Sequence, residues 1–129
     1  MPYILKHFRF FTYGCLIILA SCTSKEDLSG LYVGCFENNI DSLKIDSKGR
    51  YERIIYDNDK RMIFSNKSTY QIEHGHITFD EFLLNENDLS SSLKYDSEDL
   101  LIASLPYTRT FSGITIISND DLGYFYFKK

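Results

Sequence analysis

The sequence predicts an all-β fold: an antiparallel meander of about eight short strands, curling into a small barrel or a strongly curved sheet and preceded by a cleaved signal helix. Three observations predict it. Short runs of β-branched and aromatic residues recur along the chain, with 10 Tyr and 10 Phe among 129 residues, and such side chains suit a pleated, half-buried surface. Polar turn residues interrupt the runs every 8–12 residues or so, roughly the spacing of a meander rather than of βαβ units. Pro is scarce: Pro2 lies at the N-terminus and only Pro106 in the body of the chain.

Lys6, His7 and Arg9 open the chain as a short positive region, followed by an apolar run over 10–20 and the small residues Ala20 and Ser21. That is the order of a secretory signal peptide. The apolar run is shorter than the ~20 residues a helix needs to cross a hydrocarbon layer, so residues 1–21 are expected to be removed, the alternative being a retained transmembrane helix. Residues 22–29 read as a charged tether, and 30–129 as the β-rich domain.

A first strand is expected over 30–37 and a second over 40–46, where Leu43 and Ile45 alternate with Ser42, Lys44 and Asp46. Asp46-Ser47-Lys48-Gly49 has the chemistry of a type I turn leading into a hairpin, and 50–57 is the returning strand. Asp57-Asn58-Asp59-Lys60 makes the next turn. Runs over 61–65 and 68–74 follow, separated by Asn66-Lys67; His74-Gly75 then connects to a strand over 76–84, with Ile77 and Phe79 on one face. Residues 85–99 read as a long loop. Beyond it lie runs over 100–104, 107–111 (at an edge or after a bend, because of Pro106), 114–118 and 124–127. In the last, Phe125 and Phe127 share one face and Tyr124 and Tyr126 the other, so that one side can enter the core while the tyrosine hydroxyls stay at a wet or interface side. No repeat of fixed period is evident.

Leu19-Ala20-Ser21-Cys22 resembles the lipobox of bacterial lipoproteins. The resemblance implies a cut between Ser21 and Cys22, a diacylglycerol on the Cys22 thiol and acylation of the new amino group; several acyl chains anchor stably where one is marginal. Lys25-Glu26-Asp27 resembles the export signal of lipoproteins carried to the outer face of the outer membrane. Gly30-Leu31-Tyr32 resembles the Gly-x-Trp opening of lipocalin-like barrels, with Tyr32 in place of the Trp. The sequence of strands and turns is similar in texture to small β-domain lipoproteins of Gram-negative bacteria.

Loss of residues 1–21 leaves 108 of 129 residues, one domain by length. It also removes Lys6 and Arg9, taking the net charge from −4 to −6. An acidic domain without a basic stripe is a poor nucleic-acid binder. With Cys15 in the leader and Cys22 lipidated, Cys35 has no partner for an internal disulfide. Flanked by Val33 and Phe36, it is read as a small buried hydrophobe, the alternatives being a reactive thiol or an intermolecular bridge.

His74 and His76 are the only clustered metal-type ligands, too few for a closed site, and Gly75 between them suits a solvated hairpin tip. Asp57-Asn58-Asp59 begins like a calcium loop but has Met62 at the sixth position and Ser68 at the twelfth. Asp80-Glu81 and Asp120-Asp121 are adjacent acids, which point to opposite faces of a strand. No nucleophile motif, phosphate loop or cofactor motif is found. Tyr32, Tyr51, Tyr56, Tyr70, Tyr95, Tyr107, Tyr124 and Tyr126 are read as core before the lining of a cavity or a recognition surface. The expectation is a lipid-anchored envelope protein, outer-membrane attached, with a binding role toward an envelope protein and no catalysis. The alternative is a carrier or sensor of a small apolar ligand held inside the barrel.

Overall fold

Side chains of a strand point alternately to its two faces, and buried and exposed residues alternate accordingly, most plainly over 39–45 and 50–57. The computed structural model describes residues 24–85 and 99–129. A single helical turn, α1 (Lys25–Leu28), precedes eight strands: β1 (Gly30–Cys35), β2 (Asn39–Ile45), β3 (Arg50–Asp57), β4 (Met62–Glu73), β5 (His76–Phe82), β6 (Leu101–Thr110), β7 (Gly113–Asn119) and β8 (Tyr124–Lys128). Each pairs antiparallel with the next, and β8 pairs back to β1, closing a barrel in sequence order. The seam is short, with Tyr32 opposite Lys128 and Val33 opposite Phe127. Gly34 allows it to close: a Cβ there would lie 3.1 Å from the Phe125 carbonyl oxygen and 2.9 Å from the Phe36 ring. Closure gives each strand a neighbour on both sides.

The meander is as expected, but two pairs of runs are single strands. β4 continues through Asn66-Lys67, pairing with β3 as far as Thr69 and with β5 from Tyr70 onward. β6 likewise runs through Pro106, pairing with β5 up to that residue and with β7 from Tyr107. Pro106 thus sits where the strand passes from one neighbour to the other, and Tyr107 N–H donates to the Gly75 carbonyl at 3.2 Å. β5 bulges between Phe79 and Phe82, with Glu81 at φ 50°. The extra residue turns both phenylalanines inward, where their rings stack 4.9 Å apart. The backbone carbonyls that the bulge exposes are captured by the Tyr51 hydroxyl, which donates to Asp80 at 2.5 Å and Glu81 at 3.0 Å, and by Asn66 Nδ2, which donates to Glu81 at 2.7 Å.

Three local expectations are corrected. Residues 24–28 are no loose tether: Ser24 and Asp27 cap α1 reciprocally, and Leu28 is wholly buried under one end of the barrel, its carbonyl accepting from the Tyr32 hydroxyl at 2.8 Å. Cys35 is exposed, because inward β1 positions fall on Tyr32 and Gly34 and Cys35 takes the outward phase. On β8 it is Tyr126 that is buried, while Phe127 is exposed; the Tyr126 hydroxyl finds its partners inside. The core proper comprises Leu28, Tyr32, Leu43, Ile45, Tyr51, Tyr70, Ile77, Phe79, Phe82 and their neighbours on β6–β8.

Candidate functional site

Alternation on β2 and β3 points not only Leu43, Ile45 and Ile55 into the barrel but also Asn39, Asp41 and Arg53. β8 adds Tyr126, and the chain just past β5 adds Asn85; all five are buried. Arg53 grips Asp41 through two nitrogens, Nε to Oδ1 at 3.0 Å and Nη2 to Oδ2 at 2.7 Å, the bidentate form that fixes both partners. Nη2 also donates to the Tyr126 hydroxyl at 3.1 Å, Nη1 donates to the Leu83 carbonyl, and the guanidinium stacks 4.0 Å from the Phe82 ring centroid. Asp41 Oδ2 accepts further from the Tyr126 hydroxyl at 2.6 Å and Asn85 Nδ2 at 2.8 Å. Asn85 and Asn39 exchange amide bonds at 2.8 and 3.2 Å.

Burial alone opposes the charge on Arg53, but the adjacent Asp41 carboxylate outweighs it and raises the guanidinium's pKa above its ordinary value. Burial pushes the Tyr126 hydroxyl well above the usual phenol range. The cluster is therefore an internally neutralised strut, joining β2, β3, β8 and the exit from β5. Its Asp41 carboxylate already accepts four hydrogen bonds from three residues. Beside it, Ile55 and Leu83 form a second apolar cluster with the partly exposed Ile63, Phe64 and Leu100, at the barrel end opposite α1. One end of the barrel is thus stoppered by Leu28, and the other has a fixed polar floor beside half-open apolar side chains.

Of the residues singled out by sequence, Ser21 and Cys22 lie outside the described residues, as do the leader and Tyr95. Lys25, Glu26 and Asp27 form the body of α1; Asp27 accepts from Ser24 and lies 3.6 Å from Arg109. The Ser24 backbone N–H, then its hydroxyl, hold the Asp27 carboxyl below its ordinary pKa. His74 and His76 are exposed at the β4–β5 turn, His76 Nδ1 lying 3.2 Å from the His74 carbonyl oxygen. Among the described residues no three His, Cys, Asp or Glu side chains converge as metal ligands. A depression of about 530 Å³ lies on the outer face of β2–β4, where Lys44, Glu52 and Lys67 make one cross-strand row. Sequence reading missed the Asp41–Arg53–Tyr126 cluster. Its signal was there in the alternation, which gives Asp41 the phase of Leu43 and Arg53 the phase of Tyr51 and Ile55.

No protein-family model, curated protein or solved structure matches this chain. The fold itself defines its class: a closed, eight-stranded, up-and-down antiparallel β-barrel, an architecture capable of enclosing a ligand pocket.

Proposed function

We propose that the chain is a cell-envelope lipoprotein, cut between Ser21 and Cys22 and anchored by acyl chains on Cys22, whose barrel carries or senses a small apolar ligand. The observation that carries the ligand reading is the asymmetry of the closed barrel. The α1 end is filled by Leu28 and the aromatic core, whereas the other end sets Ile63, Phe64 and Leu100, all partly exposed, beside a rigid polar cluster. A half-open apolar lining with a few convergent polar groups is the usual make-up of a small-molecule site. Attachment to the outer membrane, with Lys25-Glu26-Asp27 as export signal, belongs to the same proposal, and the reading has no catalytic step.

Two measurements on protein isolated from membranes test the two halves. The intact mass should equal residues 22–129 plus diacylglycerol and an acyl chain, and Cys22→Ala should abolish the addition. Native mass spectrometry should find a small apolar molecule retained in the barrel, and an apolar fluorescent probe should compete with it. Phe64→Asp should weaken both at least several-fold. A barrel that is isolated empty and does not take up the probe overturns the ligand reading and leaves the anchor standing.

A second reading, an interaction module, is favoured by a different observation. Leu31, Val33 and Phe127 point outward at the β8–β1 seam, with Val33 and Phe127 directly paired and Phe125 6.2 Å from Phe127. An apolar strip on a closed barrel suits a protein partner.

A further inference from the structure

The two ends of the barrel differ in charge and in what they expose. At the α1 end lie Lys25, Lys48, Arg50, Arg109, Lys128 and Lys129, against Glu26, Asp27, Asp46 and Glu73. Two of those acids are already committed, Asp46 to Arg50 at 3.0 Å and Asp27 to Ser24 and Arg109. The Lys128 ammonium donates to a carbonyl, that of Asp27, at 2.9 Å. At the opposite end the order is reversed: Glu37, Asp57, Asp59, Asp99, Asp120 and Asp121 stand against Lys60 and Arg61. The molecule is acidic as a whole yet presents one basic end.

That basic end also carries a fully exposed aromatic side chain. Phe111, at the tip of the β6–β7 turn, is 113 % exposed, more open than a residue in an extended peptide. A lone aromatic at a turn tip, on a barrel end that also carries lysines, suits an amphipathic contact with the headgroup layer of a bilayer.

The chain leaves the barrel at this same end. Ser24, the cap of α1, is two residues from Cys22, a reach of about 7 Å even when fully extended. An acyl group on Cys22 would therefore keep α1 near the lipid surface, without fixing which of the neighbouring turns touch it.

We infer that the α1 end of the barrel docks on an anionic bilayer, with Phe111 in the headgroup layer, Lys25, Lys48, Lys128 and Lys129 on the same end, and the acidic end turned away. This deepens the anchored reading above and rests on it for the point of attachment. The charge asymmetry and Phe111 are independent of it. Attraction of one end and repulsion of the other orient the barrel as it approaches, and the half-open apolar end then faces the aqueous compartment.

The chain has no Trp, so a single introduced indole reports on one site. The experiment uses the protein as isolated from membranes, in two versions, Phe111→Trp and Leu122→Trp, the latter at an exposed turn of the opposite end. Each is reconstituted on vesicles of phosphatidylcholine with phosphatidylglycerol, or of phosphatidylcholine alone, some with brominated acyl chains, and the intact mass of the same preparation is recorded. On anionic vesicles the Phe111→Trp indole should be blue-shifted and quenched several-fold by brominated lipid. High salt or neutral vesicles should largely reverse both changes, with Leu122→Trp unaffected throughout. An indole at position 111 that stays exposed while the protein remains on anionic vesicles overturns the docking, as does equal quenching at both positions. A preparation that carries no lipid by mass, yet docks by its Phe111→Trp signal, removes the anchor and keeps the docked face.

Discussion

At the scale of the residue, the costly item in this barrel is a buried charge pair. Arg53 and Asp41 are fully shut from solvent, so each is tolerable only because the other is present. Arg53→Met should cost about 3–5 kcal/mol, because it leaves a buried carboxylate whose main counter-charge is gone. Arg53→Met combined with Asp41→Leu and Tyr126→Phe should recover most of that loss, since the cluster then holds no charge. Urea unfolding of the two proteins tests this, and a single mutant costing under about 1 kcal/mol would mean that water reaches the pair. The tyrosines make a second prediction. Burial raises the pKa of Tyr32, Tyr51 and Tyr126, and pushes Tyr70 up to about 12. An unfolded tyrosine ionises near pH ~10. The stability these hydroxyls carry is complete below that pH and is lost as pH rises through their folded values, because the unfolded chain then holds fewer protons than the fold. Their phenolate absorbance should appear only together with loss of the β-sheet circular dichroism. Full phenolate absorbance from a chain with unchanged dichroism would place these hydroxyls in water.

At the scale of the element, one turn is used twice. In Asp46-Ser47-Lys48-Gly49-Arg50, Asp46 Oδ1 accepts from the N–H groups of Lys48 and Arg50 at 2.8 and 2.9 Å, and Oδ2 from Arg50 Nε at 3.0 Å. Asp57-Asn58-Asp59-Lys60-Arg61 repeats this, with Asp57 Oδ1 at 2.9 Å from the N–H groups of Asp59 and Arg61 and Oδ2 at 3.0 Å from Arg61 Nε. The N–H of Arg50, and of Arg61 in the second turn, is the chief cause holding each carboxyl below its ordinary pKa. The fourth residue is left-handed in both, Gly49 at φ 85° and Lys60 at φ 64°. Only the first turn has the residue that bears this without strain, so Lys60→Gly should stabilise the protein by about 0.5–1 kcal/mol. Gly49→Lys should destabilise it, by left-handed strain and because its Cβ would come within 3.0 Å of Lys25 Nζ. Midpoint shifts in urea read both, and a loss on Lys60→Gly would mean that the Lys60 side chain matters more than its backbone. Gly49 made the first turn readable as chemistry, whereas Lys60 hid the second turn's likeness to it. Strand phases were legible in the same way, down to Ile77 and Phe79. What was not legible was how far a strand continues. Asn66-Lys67 and Pro106 look like breaks, yet each lies at or near the point where a long strand changes neighbours, and only the closed barrel supplies the second neighbour.

At the scale of the whole molecule, the closed meander follows from local alternation, but its polarity does not. Lys48, Lys128 and Phe111 come to one end through the up-and-down order of the strands, but that Lys25 joins them depends on α1 folding back beneath β1, and residues 22–29 carry only the mark of a charged tether. The single apolar residue among the five after Ser24 is Leu28, and it decides the matter. Its side chain is wholly buried in the main core, and the Tyr32 hydroxyl and Lys128 ammonium bond the carbonyls of Leu28 and Asp27, tying α1 to β1 and β8. These are the strands of the short seam, so the stopper and the closure should stand or fall together. Leu28→Ala is predicted to cost about 2–5 kcal/mol and to raise amide exchange chiefly along β1 and β8, with β3 and β4 little changed. A tether, by contrast, tolerates the substitution with no measurable loss. Urea unfolding with residue-resolved hydrogen exchange distinguishes the two. Loss of stability with uniform exchange would make Leu28 an ordinary core residue; exchange concentrated at the seam would make α1 the element that completes the barrel.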